Sequence, residues 1–104
     1  MTALEITKLC AEAMDLQMDA AGYIDMDTIY QPLYDDAQAM ALVKIFDMVI
    51  EREKDKTFGV TLFWGCYKNG KPVSVVRQQP DLNRAICECV AKMQQAKHPS
   101  GGEK

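Results

Sequence analysis

Six aspartates fall between Asp15 and Asp36, interleaved with Tyr23, Tyr30 and Tyr34. Carboxylates this dense suit one of three tasks: ligating a metal, moving protons, or meeting a basic surface. The stretch Asp19-Ala-Ala-Gly22-Tyr-Ile-Asp25 echoes the second half of a calcium loop. Aligned on Gly22, however, the first ligand would be Gln17, the third Ala21 and the closing glutamate Thr28, so the oxygen donors are missing where calcium needs them. No metal site is expected. The Asp35-Asp36 pair is explained without one, by Asp35 or Asp36 capping the N-terminus of a helix whose dipole favours negative charge.

Proton chemistry fares no better. His98 is the only histidine, and it stands beside Pro99 in the last seven residues. The chain has no glycine-rich phosphate loop, no Gly-x-Ser-x-Gly and no Cys/His metal-ligand spacing. The expectation is a non-enzymatic protein with no cofactor. Cys10, Cys66, Cys87 and Cys89 read as small buried hydrophobes in a reducing compartment. Two residues apart on a helix, Cys87 and Cys89 point to nearly opposite sides, which disfavours a shared zinc ion.

Charge divides the chain. Residues 1–43 hold one base, Lys8, against eight acids, a net −7, while residues 44–104 hold eleven bases against seven acids, a net +4. A long nucleic acid needs a dominant basic field and is excluded as a partner of the whole surface. A basic protein suits the acidic part. A small anion suits the other.

The second chemical candidate is the run from Phe63 through Trp64 to Tyr67, just before Asn69-Gly70. Asn-Gly is a strong hairpin signal because a type I′ turn needs positive φ at both central residues. Strands are therefore expected over about 57–67 and 71–78. Alternation puts Trp64 on one face with Phe58, Val60, Leu62 and Cys66, and Phe63 and Tyr67 on the other. The aromatics then form no single stacking platform.

The elements that must position these residues follow from pattern. Thr2-Ala-Leu-Glu5 is a capping box, opening a helix over about 3–16 with Leu4, Ile6, Leu9, Cys10, Ala13 and Met14 as its apolar stripe. Residues 17–36 interrupt the periodicity, and Ile24, Met26 and Thr28 alternate with Asp25 and Asp27 as in a short strand. A second helix is expected over about 36–54, more apolar between Met40 and Ile50 than one face can use; that excess predicts a homodimer or higher homo-oligomer. Pro80-Asp81 stops the second strand and opens a third helix, about 82–96, whose stripe of Leu82, Ala85, Ile86, Cys89, Val90 and Met93 should lie on the sheet. The reading is one α+β domain over 1–97, an alpha-beta-alpha sandwich around a short antiparallel sheet. Residues 98–104 read as a disordered tail.

In this order of features the chain resembles the phage ABA sandwich domain, a family of small phage and prophage proteins. The resemblance covers most of residues 3–95. It rests on the Glu-Ile-Thr-Lys-Leu-Cys-Ala-Glu-Ala-Met start, on Tyr30-Gln-Pro-Leu-Tyr-Asp-Asp36, on a Trp-containing strand with Asn-Gly, and on Leu82-Asn-Arg-Ala-Ile-Cys-Glu88. Members often carry Met-Gly-Trp near the end of the first helix, where this chain has Met14-Asp15-Leu16. The resemblance implies two helical layers about a sheet and a phage origin, and brings no catalytic residues.

Two binding functions follow as expectations. In the first, a phage factor blocks a host antiviral defence system, as anti-CRISPR proteins do, by contacting a defence protein in the bacterial cytoplasm through Tyr23, Asp25, Asp27, Tyr30, Tyr34, Asp35 and Asp36. In the second, an oligomer sequesters a nucleotide immune signal, with Lys68, Lys71, Arg77 and Arg84 on its phosphates and Tyr67 on its base. No apolar run is long enough to span a bilayer, and no membrane role is expected.

Overall fold

The computed structural model describes residues 1–54, 61–68 and 75–97. Its elements are α1 (Ala3–Ala13), α2 (Asp36–Phe46), β1 (Met48–Lys54), β2 (Thr61–Lys68), β3 (Val75–Gln79) and α3 (Leu82–Lys97). The fold is mixed α+β. The strands form one antiparallel sheet in the order β1-β2-β3.

Helix α1 starts at the capping box: Thr2 Oγ1 accepts from Glu5 N, and Glu5 Oε1 accepts from Thr2 N, each at 3.1 Å. The carboxylate of Glu5 is held below its ordinary pKa by the Thr2 amide it accepts from. The helix ends three residues earlier than its periodicity suggests. Asp15 adopts a left-handed φ of 58°, its amide donates to Glu12 O, and the amide of Leu16 donates to Ala11 O at 2.9 Å. This doubly bonded stop satisfies the last free carbonyls.

The largest departure from pattern lies after Phe46. The helix expected to run to residue 54 stops at Asp47, which takes φ 52°, and the chain continues as β1. The excess of apolar residues from Met40 to Ile50 is thus shared between two elements. Leu42 and Ala39 are buried on α2, while Met48 is buried on β1. Strand β1 pairs with β2 from Met48↔Lys68 to Lys54↔Thr61, with a bulge at Glu53/Lys54. Strand β2 pairs with β3 from Trp64↔Gln79 to Tyr67↔Val75. The Asn69-Gly70 turn, the first part of each expected hairpin strand and the tail 98–104 lie outside the described residues.

Helix α3, capped where Asp81 Oδ1 accepts from Arg84 N, packs on β2 and β3 and also on α1 and α2. Ala85, Ile86, Cys89, Val90 and Met93 are buried as the stripe predicts, but so are Cys87, Ala91 and Gln94. These three recur at helical spacing and form a second buried face. Toward α1, Cys10 Sγ donates to Cys87 O at 3.4 Å, and Gln94 Nε2 donates to Glu12 Oε1 at 3.2 Å. The element covered on two sides is α3.

Candidate interaction surface

The aspartates of the 17–36 segment first organise their own backbone. Asp19 Oδ1 accepts from the amides of Ala21 and Tyr23, both at 2.9 Å. Asp25 Oδ1 accepts from those of Asp27 and Thr28, both at 2.8 Å. Such carboxylate-to-backbone turns bend the chain without a ladder. The amide of Asp27 is also what lowers the Asp25 pKa most. Across the Asp25 turn forms one isolated bridge, Tyr23↔Ile29, rather than the strand suggested by alternation. Two backbone bonds flank it, the amide of Ile24 donating to Thr28 O and that of Tyr30 to Gly22 O, each at 2.9 Å.

Three residues anchor this segment in the core: Tyr30, Pro32 and Leu33 are all buried. A fourth tie comes from α2. Gln38 Oε1 accepts from Gln31 N, and Gln38 Nε2 donates to Ile29 O. Held from both sides, the segment presents Met26 at 94% exposure and Tyr34 at 78%. Asp25, Asp27 and Asp36 are exposed beside them.

Of the residues expected to meet a partner, Tyr23 and Asp35 are half-buried. Asp35 caps α2 through Gln38 N at 3.0 Å, and Asp36 accepts from Asn83 Nδ2 at 2.8 Å, joining the starts of α2 and α3. Tyr30 requires correction. At 5% exposure it is a core residue, and its aromatic ring is committed to packing. Among the described residues nothing hydrogen-bonds to its hydroxyl, and burial raises its pKa.

The cationic set is less assembled. Tyr67 and Lys68 lie on β2 and Arg77 on β3, with side chains outside those described, as are those of Phe63 and Trp64. Lys71 lies outside the described residues. Arg84 Nε is bonded to Glu88 Oε2 at 2.7 Å, one turn along α3, so a neighbouring carboxylate already occupies it.

Pattern reading also missed a groove. A groove of about 420 Å³ runs between the first two turns of α1 and residues 18–34, lined by Leu4, Lys8, Ile29, Leu33 and Tyr34 among others. Leu4, assigned by periodicity to the buried stripe, is 59% exposed; the buried face of α1 is Ile6, Cys10 and Ala11. The clue was available in the short repeat Ile6-Cys10, which places Leu4 off-centre.

The four cysteines are buried and form no disulfide. Burial pushes the Cys66 thiol up to about 12, and the hydrogen-bonded neighbour Cys10 together with burial raises that of Cys87. Nucleophilic cysteines need the opposite shift. Among the described residues, no three His, Cys, Asp or Glu side chains group as metal ligands, and no helix is long and apolar enough to cross a membrane. No family model matches this chain, and neither does any curated protein or solved structure.

Proposed function

We propose that this chain is a non-enzymatic binding protein whose acidic 15–36 segment docks on a basic surface of another protein. One observation carries the reading: exposed Asp25, Asp27 and Tyr34 stand on a backbone already bonded by Asp19, Asp25 and Gln38. A surface ordered before contact loses little conformational entropy on binding. Its negative field accelerates encounter with a basic partner, and an exposed aromatic such as Tyr34 supplies an anchor.

The finer assignment draws on the resemblance to phage ABA sandwich proteins. It makes the chain a phage-encoded inhibitor of a host antiviral defence system, acting in the bacterial cytoplasm on a defence protein. For the layers we propose the order sheet, α3, then α1 with α2 alongside, in place of helices on both sides of the sheet; the two buried faces of α3 support that order. A homodimer through α2, on which Met40 is 42% and Ile45 61% exposed, belongs to the same reading. Light scattering at micromolar concentration should give twice the chain mass, and a monomer would remove it. Nucleotide sequestration is not favoured, because Arg84 is engaged by Glu88.

The test is retention of a host protein from phage-infected bacterial extract by the tagged chain. Asp25, Asp27, Asp35 and Asp36 are then replaced by asparagine, which keeps the capping oxygen and removes the charge. The reading expects the retained protein to be lost. Equal retention by the variant would remove the acidic segment as the docking surface.

A further inference from the structure

A groove lies between α1 and residues 18–34. Leu4, Ile29 and Tyr34 line it at 59%, 40% and 78% exposure, while Leu33 forms part of its buried floor. Its volume of about 420 Å³ lies within the range of about 300–1,000 Å³ typical of ligand clefts. Apolar side chains gathered around a concavity, rather than scattered singly, mark a place where another apolar group is buried. Lys8 and Asp19 also line it.

Charge selects the occupant. Lys8 is the only base in residues 1–43, against eight acids. An acidic peptide or a nucleic acid approaching this groove meets a repelling field, whereas a lysine- or arginine-rich segment is drawn in. We propose that the groove seats an apolar side chain carried by a basic segment of a partner protein. This rests on the protein-docking reading above and names the chemistry of its partner: an apolar anchor between α1 and Ile29, flanked by cations drawn to the net negative charge of residues 1–43.

The test uses two short labelled peptides, one with a single tryptophan among lysines and one with the same tryptophan among glutamates, followed by fluorescence anisotropy at low salt. The lysine peptide should bind the full chain in preference to the glutamate peptide. Leu4→Ser and Tyr34→Ser, both at exposed positions, should each weaken it by about fivefold or more, the loss expected when an anchor contact worth over about 1 kcal/mol is truncated. Lys8→Glu should tighten it by removing the one like charge. Equal binding of the two peptides, binding of neither, or indifference to both serine variants overturns the groove proposal. If the serine variants still retain the host protein while the asparagine variant loses it, the groove falls and the docking reading stands.

Discussion

Gln38 Nε2 donates to the carbonyl of Ile29 at 2.9 Å, fixing the acidic segment to the first turn of α2 across nine residues of chain. The same side chain accepts from Gln31 N. A single glutamine therefore satisfies a donor and an acceptor of a loop whose own pairing is the one isolated bridge, Tyr23↔Ile29.

Gln38→Ala should release that tie. Each hydrogen bond contributes about 0.5–1.5 kcal/mol net, so the variant should lose about 1–2 kcal/mol of stability. Amide exchange at Gln31 should accelerate in native conditions, while the α1 amides should keep their protection. Unaltered exchange at Gln31 would show that the loop is held by its core anchors alone.

Tyr30→Phe should act in the other direction. The hydroxyl is buried without a hydrogen-bond partner among the described residues, and an unsatisfied buried polar group costs about 1–3 kcal/mol. Removing it should stabilise the chain by about 1 kcal/mol and raise Tm by about 4–8 °C for a domain of this size. A fall in Tm would mean that the hydroxyl has a partner.

Much of the local structure was legible in the sequence because the signals are local. The Thr2-Glu5 box, the Asp35 cap and the Asp81 cap each need only a few consecutive residues, and each forms as read. The change from α2 to β1 at Asp47 was not legible by periodicity, since an apolar run fits a buried helix and a strand equally well until a left-handed residue breaks it. The pairing of β1 with β2 then decides in favour of a strand, and that is a long-range choice. For the candidate surface, exposed Asp25 and Asp27 were visible in composition, but the tie through Gln38 and the burial of Tyr30 depend on how α2 and α1 meet the loop.

Alkaline pH should destabilise the fold through its thiols. Cys66 is raised from an ordinary value of 9.0 to about 12, so below pH 9 it is protonated in both folded and unfolded chains and its contribution is fully present. As pH rises from about 9 toward 12, the unfolded thiol ionises first and stability falls. Cys87 and Tyr30 are raised as well and add to the same trend. Tm should be level between pH 7 and about 9 and decline above, and Cys66→Ala should flatten part of that decline. A level Tm up to pH 11 would contradict the burial of these groups.

The most direct measurement of the proposed docking surface is the association rate of any protein the tagged chain retains with the wild-type chain and with the variant carrying asparagine at positions 25, 27, 35 and 36, at low and high salt. Charge steering predicts that the wild-type rate falls steeply with salt, and that the variant is slower at low salt and nearly insensitive to salt. Equal rates at both salt concentrations, with the variant folded by circular dichroism, would contradict the acidic segment as the surface through which this protein acts.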